Sequence, residues 1–179
     1  IQSAIDIATK NGGGRVLIPK GKYLTGAFIL KTGTDLHLQK DAIILGSTNP
    51  KHYFNLNRWK SLVLSDNQNN ISITGYGEIN GQGRELALHI DSLFYAGQID
   101  SAEYNFVEKR PKYYLRPQLI EFVSCKSIAI KNVTLRNAAC WVQTYDKCEN
   151  IVIDSVRIES DAYWNNDGID LVDSKNVRI

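Results

Sequence analysis

The sequence predicts an all-β solenoid, a right-handed parallel β-helix with an N-terminal capping helix and an inserted helical and loop segment. Three observations lead there. The stretch Lys126-Ser127-Ile128-Ala129-Ile130-Lys131-Asn132-Val133-Thr134-Leu135 returns as Glu149-Asn150-Ile151-Val152-Ile153-Asp154-Ser155-Val156-Arg157-Ile158, a shift of 23 residues that also carries Cys125 onto Cys148. A further copy begins at Asn176-Val177-Arg178-Ile179, 26 residues after Asn150, and an earlier relative is Asn70-Ile71-Ser72-Ile73-Thr74-Gly75. Within each copy the apolar residues alternate in two short bursts, the period of strands joined by corners. Repeats of this length mark solenoids, because one rung cannot bury its inward side chains alone while stacked rungs share a continuous core. Leucine-rich repeats, the competing solenoid, need a leucine spacing that is absent.

The elements follow in chain order. Ile1, Ala4, Ile5 and Ala8 lie at i, i+3, i+4 and i+7, an amphipathic helix that stops at Asn11-Gly12-Gly13-Gly14. Residues 1–14 are therefore read as a cap over the first rung, where exposed backbone groups would otherwise template aggregation. Strand-like Arg15-Val16-Leu17-Ile18, Leu36-His37-Leu38 and Ile43-Ile44-Leu45 are early rungs. Residues 84–118 break the pattern: Leu86, Ile90, Leu93 and Phe94 have helical spacing, and Tyr104, Phe106, Tyr113 and Tyr114 follow. This is an insertion between rungs, and residues 1–179 form one incomplete β-helix domain. Its aromatic rings can pack the insertion onto the coil or stack on sugars.

Composition narrows the function. The 179 residues are 43% apolar and 22% charged, enough for one packed core. The 21 basic and 19 acidic residues are interspersed, with no basic block for nucleic acid. No run reaches the length of a membrane helix, and a monomer is expected. The sequence has no methionine, which suits a processed or truncated chain. Cys125, Cys140 and Cys148 form neither a metal motif nor an even disulfide set. His37, His52 and His89 have no partner at ligand spacing, so no metal and no cofactor is expected.

The acids crowd between Asp154 and Asp173. Asp167 and Asp170 stand apart because they frame Gly168-Ile169. With Ile169 and Leu171 inward, Asp170 points outward and a regular strand would bury Asp167, which is costly for a lone carboxylate. A bulge at Gly168 would shift the phase and turn Asp167 outward beside Asp170. Two outward carboxylates suit glycoside hydrolysis, which needs an acid for the leaving oxygen and a base for water. A structural aspartate ladder explains the spacing equally well.

A resemblance adds to this. Gly12-Gly13-Gly14, Leu45-Gly46-Ser47, Gly75-Tyr76-Gly77-Glu78-Ile79-Asn80-Gly81-Gln82-Gly83, Arg116-Pro117 and above all Asn165-Asn166-Asp167-Gly168 resemble the polygalacturonases and related pectin hydrolases of glycoside hydrolase family 28. The family form is Asn-Thr-Asp-Gly, so Asn166 departs from it. Cys140 and Tyr145 also stand where proline and histidine are usual. The resemblance implies an inverting hydrolase of a pectin-type acidic polysaccharide, a galacturonan or rhamnogalacturonan, in a secreted or periplasmic setting. It makes Asp167 catalytic, and Asp170 and Trp164 are read as substrate-binding, Trp164 by stacking on a sugar. The family's Asp-Asp pair, Gly-His-Gly and Arg-Ile-Lys segments fall beyond Ile179, so these 179 residues alone are expected to be inactive. The rival readings are a pectate-lyase-like elimination using Ca²⁺ and a non-catalytic glycan-binding β-helix.

Overall fold

In the computed structural model, which describes residues 1–161 and 163–179, short strands wind into three parallel sheets. The first sheet stacks Gly14–Ile18, Thr34–Leu38, Asn69–Gly75, Lys126–Lys131, Glu149–Asp154 and Lys175–Arg178. The second stacks Gly21–Thr25, Ala42–Gly46, Glu78–Asn80, Thr134–Arg136 and Arg157–Glu159. The third stacks Phe28–Ile29, Ser61–Asp66, Gln118–Val123, Gln143–Asp146 and Asp170–Val172. The chain visits the sheets in rotation, which is the right-handed parallel β-helix the repeats predict.

The 23-residue repeat is the register of the coil. Ile128 pairs with Ile151 and Ile130 with Ile153, while Leu135 pairs with Ile158. Ile71 and Ile73 continue the same columns on the other side, and Val177 follows Ile151 across the 26-residue step. Rungs about 4.8 Å apart bring each inward side chain onto its neighbours above and below. Ile71, Ile73, Ile128, Ile130 and Ile151 are accordingly all but fully buried.

The corners have their own columns. Asn70, Ser127, Asn150 and Asn176, with φ of 52, 56, 59 and 55°, take the left-handed conformation at successive entries to the first sheet. Asparagine tolerates this region through local hydrogen bonding by its short polar side chain. Asn176 also donates through Nδ2 to Asn150 Oδ1 at 3.0 Å, linking one corner to the next.

Helix α1 (Gln2–Lys10) lies over the first rung with Ile5 fully buried. The Gln2 side chain accepts from the Ile29 N–H at 2.7 Å and donates to the Ile29 carbonyl at 3.1 Å, satisfying backbone groups at the edge of the third sheet. Between Glu78–Asn80 and Gln118–Val123 the chain leaves the coil. Helix α2 (Gly83–Tyr95) buries Leu86, Ala87 and Ile90, and a small hairpin pairs Tyr104–Asn105 with Arg110–Pro111. At the start of α2, a Cβ on Gly83 would stand 2.1 Å from the Ala138 carbonyl oxygen, so only glycine lets the helix begin against the neighbouring rung. Strands Ser61–Asp66 and Gln118–Val123 are buried along nearly their whole length, on both faces.

Candidate active site

The segment from Tyr163 to Asp170 leads into the fifth strand of the third sheet. It is fixed from both directions. On the coil side, the Val142 N–H donates to the Asp167 carbonyl at 2.8 Å, extending the ladder in which Thr144 pairs with Asp170. The Ser160 hydroxyl donates to Asn166 Oδ1 at 2.6 Å and accepts from the Ala138 N–H at 2.8 Å. On the insertion side, the Tyr163 hydroxyl donates to Asp91 Oδ2 of α2 at 2.7 Å. Arg116, only 4% exposed, donates through Nη1 to the carbonyls of Ala139 and Trp164, both at 2.8 Å.

These contacts decide how the three sequence-predicted residues stand. Asp167 is exposed and Asp170 half-buried. Burial raises the Asp170 pKa above the usual carboxylate value, and the nearby Asp167 charge raises it further. Trp164 is half-buried, with the guanidinium of Arg110 4.5 Å and that of Arg116 5.1 Å from its ring centroid. A ring held this way is a cation–π anchor for the segment, and its Nε1 is buried with no hydrogen-bond partner.

The alternation breaks at Gly168-Ile169, next to the expected point, and a left-handed turn precedes it. The left-handed residue is Asn165, with φ of 62°, and Gly168 is absent from the positive-φ positions. A Cβ on Gly168 would meet Ile158 Cδ1 at 3.6 Å, so this position faces the interior, as does Ile169 beside it. Two successive inward positions break the alternation, and the residue before them, Asp167, lies exposed. Leu171, expected inward, continues the buried column of Phe122 and Tyr145, and is 43% exposed because its strand is the last of the sheet.

Sequence reasoning missed the neighbours of Asp170 along the outer face of the third sheet. Glu121 pairs with Thr144, which pairs in turn with Asp170, so the three form one column over two rungs, roughly 10 Å. Glu121 is 2% exposed and accepts from the Trp59 N–H at 3.1 Å through Oε1. Burial pushes its carboxyl up to about 7, helped by the charges of Asp146 and Asp66 and opposed by the Trp59 hydrogen bond and Arg58. Trp59, Tyr113 and Trp141 cluster above it, with Trp59 centroids 5.4 Å from Tyr113 and 5.5 Å from Trp141. One signal was available: Glu121 is a lone acid inside Leu119-Ile120-Glu121-Phe122-Val123, where burial on both faces makes a carboxylate conspicuous. Among the described residues, no group of three or more His, Cys, Asp or Glu is arranged to hold a metal ion.

Residues 9–179 match the glycosyl hydrolases family 28. The chain belongs to this family. A Vitis vinifera protein named "Probable polygalacturonase" is 29% identical over 94% of this chain and 34% of its own length. An exo-poly-α-D-galacturonosidase of Dickeya chrysanthemi is 26% identical over 100% of the chain and 36% of its own length. Among solved structures, the family 28 exopolygalacturonase of Yersinia enterocolitica superposes with a TM-score of 0.80 at 26% identity, over 99% of this chain and 38% of that one. The chain thus spans about a third of the length of these relatives.

Proposed function

We propose that the whole protein hydrolyses glycosidic bonds in a pectin-type acidic polysaccharide, a galacturonan or rhamnogalacturonan, with inversion at the anomeric carbon. The observation that carries this reading is the exposed Asp167 beside the half-buried Asp170 on the outer face of a parallel sheet, inside Asn165-Asn166-Asp167-Gly168. Inversion requires one carboxylic acid to protonate the leaving oxygen and a carboxylate to activate water on the opposite face of the sugar. Asp167 takes part in activating that water. Asp170, whose proton is held more tightly by burial, hydrogen-bonds the sugar. Trp164 borders the cleavage point, its ring backed by the two arginines. One exposed carboxylate does not supply both an acid and a base, so the residues described here do not complete the reaction by themselves. A secreted or periplasmic location fits such a substrate, and no helix among the described residues is long and apolar enough to cross a membrane.

The test is Asp167→Asn in the full-length protein, assayed by release of reducing ends from polygalacturonic acid. A loss of at least about 100-fold in kcat with an unchanged fold is expected for a residue that takes part in general acid–base chemistry. Retained turnover would refute the assignment. An unsaturated, ultraviolet-absorbing product abolished by chelator would mark elimination instead. No release from any pectic polymer would mark a binding module.

A further inference from the structure

The outer face of the third sheet gathers polar atoms that the fold leaves without partners. Glu121 Oε2, Thr144 Oγ1, Asp146 Oδ1 and Asp170 Oδ2 are each buried with no hydrogen-bond partner. All four residues line one groove, whose other walls include Arg58, Trp59 and Trp141, and the Trp141 Nε1–H is a buried donor that is likewise without a partner. Glu121 and Thr144 are 2% and 3% exposed, so these oxygens are not loosely solvated surface groups. Buried polar atoms in a folded protein are ordinarily satisfied, and several acceptors left open along one wall point to donors supplied from outside.

The identity of those donors follows from charge and spacing. The groove presents three carboxyl groups, Glu121, Asp146 and Asp170, against one guanidinium, Arg58. A galacturonate unit would bring a further carboxylate to this acidic wall. A divalent cation fits no better: successive rungs are about 4.8 Å apart, which separates Glu121 from Asp170 by roughly twice that, and no metal-holding group of acids occurs among the described residues. A neutral sugar fits both the chemistry and the length. Its hydroxyls donate to the open oxygens at spacings of a few ångströms and can accept from the Trp141 N–H, and its C–H surface can lie against aromatic rings, here those of Trp59 and Trp141.

We propose that this groove is a subsite for a neutral pyranose unit of the polymer, held by hydroxyl donation to Glu121, Thr144 and Asp146. The proposal rests on the hydrolase reading above and adds the class of sugar placed next to Asp170. It makes the preferred substrate a mixed polymer in which galacturonate alternates with, or carries, neutral sugars.

The experiment is calorimetric titration of the full-length protein with two oligosaccharides of equal length, one of galacturonate alone and one alternating galacturonate with rhamnose. The wild type is expected to bind the alternating chain at least about tenfold more tightly, the scale of one lost or gained well-paired polar contact. Glu121→Gln and Thr144→Val should each reduce that ratio severalfold by weakening the alternating chain alone. Thr144→Val carries the test if Glu121→Gln folds poorly by circular dichroism. Equal affinities, a preference for galacturonate, binding of neither chain, or a preference untouched by both substitutions overturns the proposal. Cleavage is read separately. Cleavage of oligogalacturonate without the binding preference refutes the subsite alone, whereas the preference without any release of reducing ends refutes the hydrolase reading and leaves the subsite standing.

Discussion

Glu121 should make the stability of this β-helix fall as the pH rises from about 4.5 to about 7. Its carboxyl has an ordinary value of 4.5 and is pushed up to about 7 in the fold, chiefly by burial and then by Asp146 and Asp66, with Arg58 and the Trp59 N–H opposing. A raised folded value means the native state binds the proton more tightly than the unfolded chain. The contribution is complete below pH 4.5, declines between 4.5 and about 7, and is gone above that. Each pH unit of displacement corresponds to about 1.4 kcal/mol, so ionising Glu121 costs the folded state about 3 kcal/mol. Glu121→Gln keeps an acceptor for Trp59 and cannot ionise. Urea unfolding of both proteins should give similar stabilities near about pH 5, with the variant the more stable by about 3 kcal/mol near about pH 8.5. Parallel pH profiles for the two proteins would refute the argument, since the charge of Glu121 would then cost the fold nothing.

Two further outcomes are expected at the motif. Arg116→Lys removes the planar guanidinium that reaches the carbonyls of both Ala139 and Trp164. It should cost about 1.5–3 kcal/mol in urea unfolding, the range for hydrogen bonds to a charged group, and lower kcat of the full-length protein by loosening the approach to Asp167. An unchanged stability would mean the arginine does not hold this segment. Asp167→Asn removes the charge that adds to the burial of Asp170, so the Asp170 value should fall toward the usual carboxylate range while remaining above it. Carbon NMR of the labelled aspartate carboxyls reads this directly, and a value that stays put or rises would refute the coupling.

What the sequence made legible is whatever repeats with the coil. Ile128 onto Ile151 and Leu135 onto Ile158 could be read as a 23-residue shift because inward positions must be apolar on every rung, and that shift is the observed register. The corner columns were less visible. Asn70, Ser127, Asn150 and Asn176 share one backbone conformation, but polar residues at a corner look like any loop to a hydropathy pattern. The phase change was expected at Gly168, where two successive inward positions do break the alternation, but the left-handed turn at Asn165 just before it was not foreseen. Glycine is the usual suspect for left-handed backbone, and asparagine is the commoner exception. The least legible features were contacts between distant segments. Nothing local in Arg116 announces that it holds the carbonyl of Trp164, 48 residues away. Nothing local in Trp164 announces its cover of Arg110 and Arg116 either, because both come from the part of the chain that breaks the repeat.

That break is also what makes the outer face of one sheet chemically different from the others. A bare coil presents its outward side chains to water at even spacing, and carboxylates placed there would behave alike. Here the insertion supplies Asp91, Arg110 and Arg116 to hold the motif segment and Tyr113 to pack beside Trp59 over the third sheet. Along the column from Glu121 through Thr144 to Asp170 the cover thins, from a fully buried carboxyl to a half-buried one, and Asp167 lies beyond it in the open. Carboxyl groups in unequal environments are what separates acid from base and binding group from reacting group. The rungs therefore set where the polar side chains stand, and the insertion sets how firmly the motif segment beside them is held.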